Sequence, residues 1–194
     1  MRELKSIEER ILDRALYLMG MNKTCDISIR AIAKEANVNV SAINYYFRTK
    51  EQMLKLVKEF YIDNTLTVAS ILRDDSYDDE EKLTLAANEI MEYSLRFPGN
   101  MVILRDSLKR ADVDETSRRI VDMSFEVQSS LSRLLCNLIP GDETISKYRS
   151  MIFMASVNYP AEYEGFAEFG STLLVEREHR MAYLKLLIKS LKSI

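Results

Sequence analysis

The chain has 194 residues, of which 47% are hydrophobic and 29% charged, with a net charge of −3. That length suits one domain or two small ones with a packed core, and no run of about 18 apolar residues is present to span a bilayer. Five glycines, three prolines and many strong helix formers, with no strand-like alternation, predict an all-α chain, while two distant cysteines and one histidine are too few for a zinc site or a histidine-based triad.

The first ten residues, MRELKSIEER, mix charges and lack an apolar core, so no signal peptide is expected and the cytoplasm is the expected compartment. A first helix is predicted from Leu4 to about Met21, with Ile7, Ile11, Leu12, Ala15, Leu18 and Met19 as its buried stripe and Gly20, Asn22 and Lys23 ending it. Cys25 and Ile27 belong to a short link. Cys25 reads as a small, partly buried residue in preference to a redox sensor.

The stretch Ser28–Lys50, SIRAIAKEANVNVSAINYYFRTK, predicts two short helices around a tight turn. The first, roughly Ser28 to Ala36, puts Ile29, Ile32, Ala33 and Ala36 on one stripe, with Ser28 as N-cap. Asn37-Val38-Asn39 is the turn, and Asn37, which tolerates left-handed backbone, is the expected terminator. The second helix, about Ser41 to Phe47, is expected to begin at or near a serine, with Val38, Ile43 and Phe47 packing back onto the first. Val40, Ser41, Ala42, Asn44 and Tyr45 then face outward. This is a helix-turn-helix, whose second helix enters the DNA major groove. Small side chains at Ser41 and Ala42 let the backbone come close, an alanine methyl can touch a thymine methyl, and the Asn44 amide can pair with adenine. Tyr45, Tyr46, Thr49 and Lys50 can reach phosphate oxygens.

The run ISIRAIAKEANVNVSAINYYFRTKEQML resembles the signature of the TetR family of transcriptional repressors, with the likeness extending roughly from Ile11 to Phe60. The pattern is apolar-Arg-x-Ile-Ala, then Ala-x-Val, then Ser-x-Ile-x-Tyr-Tyr-Phe, then Lys-Glu-x-apolar-Leu. Asn37 stands where the family often carries glycine, and Tyr46 where histidine is common, so base preference can differ. The resemblance implies a three-helix head at residues 1–48 and a helical ligand-binding and dimerisation domain at 49–194, about nine helices in all. It also implies a dimer through the last two helices, and a base or phosphate contact from Arg30, beside Ser28. The plainer reading is a helical protein-interaction module that keeps the hairpin without reading DNA.

Charge distribution favours the first reading. Residues 1–50 carry nine Lys and Arg against six Asp and Glu, while the remainder is acidic, which orients the molecule on a polyanion. The excess is modest, so affinity must draw on dimerisation and placed phosphate contacts.

A fourth helix is predicted from Thr49-Lys50-Glu51 to about Arg73, with Thr49 as N-cap. The acidic run Asp74–Glu81 reads as a solvated connection whose last acids favour the next helix start, not as a metal site. Helices follow at about 80–97, 101–110, 113–138, 143–158 and 171–193, with an apolar edge of Val113, Ile120, Val127, Leu131, Leu134 and Leu138 on the third of these. In the last, Leu173, Leu174, Met181, Leu184, Leu187, Ile188 and Leu191 form an apolar face, and Glu176, Arg177, Glu178, Arg180, Lys185 and Lys189 a charged one. With Tyr148, Met151, Ile152, Met154 and Ala155 on the preceding helix, this pair is the expected homodimer surface.

The middle helices interleave Met and Tyr with polar groups. Asn88, Met91, Tyr93, Met101, Arg105, Met123, Gln128, Met154 and Asn158 are candidate contacts for an unknown small-molecule effector. The aromatic segment Asn158–Gly170 could gate such a cavity or pack on a partner subunit. No nucleophile elbow, phosphate-cradling glycine loop or metal-ligand set is present, so neither catalysis nor a cofactor is expected. The expected partners are double-stranded DNA, a second copy of the chain and an effector, with no membrane. Together these predict a homodimeric repressor released from an inverted-repeat operator by that effector.

Overall fold

The computed structural model describes residues 6–162 and 173–193. These form nine α-helices: α1 (Ile7–Asn22), α2 (Ile29–Glu35), α3 (Val40–Phe47), α4 (Lys50–Arg73), α5 (Asp79–Arg96), α6 (Asn100–Arg110), α7 (Glu115–Leu138), α8 (Glu143–Glu162) and α9 (Arg177–Lys192). A 3-10 turn, Leu173–Val175, precedes α9. The described residues contain no strand, and no described helix is long and apolar enough to cross a membrane.

The chain divides into two compact units, Met1–Asp63 with Arg96–Asp122, and Asn64–Leu95 with Met123–Ile194. The start of α4 and the whole of α6 therefore cluster with the amino-terminal helices. The compact unit that holds α1 to α3 therefore extends beyond residue 48.

In the first unit, α1 is capped by Ser6, whose side chain accepts the Glu9 N–H, and its described part starts there; the expected turn at Leu4 lies outside the described residues. Lys23 closes the helix in the left-handed region at φ 54°. Gly20 does not end α1 as expected. It is buried inside the helix, where a Cβ would come within 2.6 Å of Pro98, so glycine is required for close approach. Gly99 likewise has no room for a Cβ beside the Leu16 carbonyl. Pro98-Gly99 thus acts as a packing wedge on α1 as well as a helix break. Ile7, expected in the buried stripe, is 44% exposed, and Leu16 takes the place in the core. Phe60 and Phe97 meet edge to face at 5.0 Å between centroids. Lys58 is held by Asp114 at 2.7 Å and Ser117 at 2.8 Å.

In the second unit, a core of residues such as Leu83, Ala87, Met91, Leu131, Phe153, Leu184 and Ile188 joins α5, α7, α8 and α9. Each such large side chain contributes roughly 1.5–3 kcal/mol on burial. The acids before α5 do cap it: the Glu81 N–H donates to Asp78 and the Asp78 N–H to Glu81, a reciprocal box. Three sequence expectations about the later helices need correction, the first of them at a residue of the first unit. Val113, placed on the apolar edge, lies before α7 and is 87% exposed. The eighth helix does not stop at 158 but continues through Pro160. Pro160 has no N–H for the Ser156 carbonyl one turn back, and the Tyr183 hydroxyl donates to that oxygen instead at 3.0 Å. Arg180, assigned to the charged face of α9, is buried. It donates to Asn88 (3.0 Å), to Glu92 (2.6 Å) and to the carbonyls of Leu174 and Val175. Most of the segment Asn158–Gly170 lies outside the described residues.

Candidate nucleic-acid interface

The hairpin of α2 and α3 is built by its caps and by its buried side. Ser28 accepts the Ala31 N–H at 3.1 Å and so starts α2. Asn37 sits at φ 53°, and the chain reverses there with the Asn37 N–H on Lys34 O and the Val38 N–H on Ala33 O. Two bonds close the helix end, as a left-handed cap requires. The cap of α3 is Asn39 and not a serine: its side chain accepts the Ala42 N–H at 2.7 Å. Ile32, Ala33, Ala36, Ile43 and Phe47 are all buried.

With that side packed, the rest of α3 is turned outward. Ser41, Asn44 and Tyr45 are exposed, Tyr45 at 81%, with Val40 and Tyr46 also exposed and Ala42 half-buried. The Tyr45 and Tyr46 rings stand edge to face at 5.3 Å, which restricts both phenols. Ser28 and Arg30 are exposed at the start of α2. Arg48, not among the contacts expected from the sequence, is exposed at φ 55° directly after α3, between the buried Phe47 and the cap Thr49.

Two phosphate candidates already have local work. Thr49 accepts the Gln52 N–H at 3.1 Å, so its hydroxyl caps α4. The half-buried Lys50 ammonium pairs with Asp26. The Lys50 hydrogen bond holds the Asp26 carboxyl below the usual carboxylate range. Cys25, next to Asp26, is half-buried, and burial followed by the Asp106 charge pushes its thiol up, which favours the unreactive protonated form. It lines a cleft of about 490 Å³ with Leu54, Lys58, Ile103, Asp106 and Arg110.

The candidate effector residues are distributed among several environments. Asn88 and Met91 are buried on α5 with Tyr93 half-buried beside them, and Asn88 is tied to Arg180. On α6, Met101 is half-buried and Arg105 exposed; on α7, Met123 is half-buried and Gln128 exposed. Met154 and Asn158 are half-buried on α8, where the Asn158 amide donates to the Met154 carbonyl at 2.9 Å. Among the described residues no group of His, Cys, Asp and Glu could hold a metal ion.

A second uncovered face lies on α8. Tyr148, Met151, Ile152, Ala155 and Tyr159 recur at three- and four-residue spacing and all are exposed, Met151 at 69%; Leu186 on α9 is exposed as well.

Residues 11–57 match the model of bacterial regulatory proteins of the tetR family. Over 92 residues the chain is 36% identical to a probable HTH-type transcriptional regulator, YttP, of Bacillus subtilis (strain 168), covering 45% of this chain and 44% of that relative. The match thus spans less than half of the relative's length. A TetR-like transcriptional regulator from Rhodococcus sp. RHA1 has a similar fold over 97% of both chains, with a TM-score of 0.62 and 13% identity. The transcriptional regulator FadR from Bacillus subtilis, solved in complex with stearoyl-CoA, is similar over 92% of this chain and 96% of that one, with a TM-score of 0.52 and 17% identity. At these identities the solved structures show a shared fold.

Proposed function

We propose, from the match of residues 11–57 to the model of bacterial regulatory proteins of the tetR family, that the chain is a homodimeric, sequence-specific transcriptional repressor released from an inverted-repeat operator by a small molecule. One observation carries the DNA reading: α3 buries Ile43 and Phe47 and leaves Ser41, Asn44 and Tyr45 in solvent. A hairpin serving only as scaffold gains nothing from an amide and a large phenol held outward at its second helix. Ser28, Arg30, Tyr46, Thr49 and Lys50 flank that face and supply donors for phosphate oxygens.

Dimerisation through α8 and α9 is supported by the exposed apolar row on α8. Methionine and tyrosine are enriched at protein interfaces, and a two-fold axis would bring the same row onto itself. Two copies of α3 on successive major grooves, about 34 Å apart, give the affinity that one eight-residue helix lacks. Release by an effector is supported by the FadR fold, which holds stearoyl-CoA. The effector acts by favouring a state whose two heads no longer match the grooves.

The test is selection of bound duplexes from a random pool with the full chain at fixed salt. An enriched inverted repeat supports the reading. Absence of any enriched sequence contradicts it and favours the protein-interaction module.

A further inference from the structure

We infer that α3 reads an A·T-specified half-site core through the major groove, with Asn44 on an adenine and the Val40 and Ala42 methyls on thymines; this rests on the regulator reading above. The helix Val40–Phe47, VSAINYYF, contains no arginine, lysine, aspartate or glutamate. Guanine is most often recognised by the paired donors of Arg or Lys on its O6 and N7, and cytosine by a carboxylate on its amino group. None of the residues that α3 itself presents offers either.

What α3 does offer matches the A·T edge. Asn44 is exposed, and its side chain makes no hydrogen bond with another described residue, so both its carbonyl and its amino group are free for adenine N6 and N7. Val40 is 39% exposed and Ala42 half-buried in the first turn, the part of a recognition helix that reaches base edges. Their methyl groups have one specific counterpart in the groove, the thymine C5-methyl. The Ser41 and Tyr45 hydroxyls donate and accept alike and discriminate little.

The nearby cations sit beside α3 and not on it. Arg30 opens α2, Arg48 follows α3 at a left-handed backbone position, and Lys50 is paired with Asp26. They are placed for phosphates or flanking pairs, so any guanine preference belongs outside the core that α3 faces.

The experiment starts from the duplex enriched in the selection. Its half-site core is expected to be A·T at consecutive positions. Replacing those pairs one at a time by inosine·cytosine puts guanine's edge in the major groove while the minor groove keeps its A·T pattern. The expected result is a loss of about ten-fold or more at the Asn44 position, abolished in Asn44→Ala protein, and a smaller loss when core thymines become uracil. An enriched inverted repeat with G·C core pairs overturns this inference and leaves the regulator reading standing. Unchanged affinity for inosine duplexes also overturns it, since the preference would then come from groove shape. Failure to enrich any duplex overturns both.

Discussion

The hairpin of α2 and α3 and the pair of α8 and α9 each leave one helix face without cover, and the two faces have opposite chemistry. On α3 the uncovered groups are a hydroxyl, an amide and two phenols beside Val40, with Arg48 next in sequence and Arg30 in the first turn of α2. On α8 they are Tyr148, Met151, Ile152, Ala155 and Tyr159. A polar face flanked by cations loses little by staying hydrated, and it suits a charged, wet partner such as a nucleic acid. A row of methionine and isoleucine is costly in water and suits a second apolar surface. The lesson is that exposure alone does not identify a partner; the groups exposed do.

The largest effect is expected where α9 is fastened. Arg180→Met leaves Glu92 and Asn88 without their buried partner and uncovers the Leu174 and Val175 carbonyls. Removing one member of such a pair costs about 3 kcal/mol or more, read as a lower urea midpoint at unchanged slope. Loss of DNA binding without loss of stability would contradict this structural role.

A charge on the apolar row comes next. Ile152→Asp is expected to weaken self-association by more than about ten-fold, roughly 1.4 kcal/mol, in sedimentation experiments, with DNA affinity falling alongside. An unchanged dimer would move the interface elsewhere.

Caps on the reading hairpin matter less. Asn39→Ala removes the acceptor for the Ala42 N–H and should cost about 1 kcal/mol of stability. Asn39→Gly should cost only a few tenths. Both are measurable by thermal unfolding.

The smallest effect concerns pH. Asp114 is held at about 2 by hydrogen bonds from Lys58 and Ser117. A carboxyl lowered on folding stabilises the protein above its unfolded value and loses that contribution as pH falls through the folded one. Asp114→Asn should therefore flatten the acid-induced fall in stability between about pH 4 and pH 2. An unaltered acid profile would show that the bond contributes nothing.

Legibility in the sequence followed the distance over which each feature is encoded. The hairpin is local: Ile32, Ala33 and Ala36 share a period on one helix, Ile43 and Phe47 on the next, and Ser28 and Asn37 announce a start and a stop within ten residues. The helix count and most boundaries were readable for the same reason. Gly20 was misread because the residue that demands it is Pro98, distant in the chain. Arg180 was misread because its partners, Asn88 and Glu92, lie on another helix, and a period places an arginine on a face without saying what meets it. The eighth helix was expected to end at 158, because nothing local could show that Tyr183 satisfies the Ser156 carbonyl that Pro160 leaves without an N–H. The proposed effector contacts had only composition behind them, and composition carries no direction in space.

The central claim is that the outward face of α3 contacts base edges in duplex DNA. The most direct measurement is fluorescence anisotropy of the selected duplex titrated with wild-type protein and with the Asn44→Ala, Tyr45→Ala variant. Helical content and unfolding midpoint are recorded on the same samples. Both side chains are exposed, so the fold should hold while affinity falls by about 2 kcal/mol, some thirty-fold, toward the value for unrelated DNA. Equal affinity of the two proteins for that duplex would contradict the account.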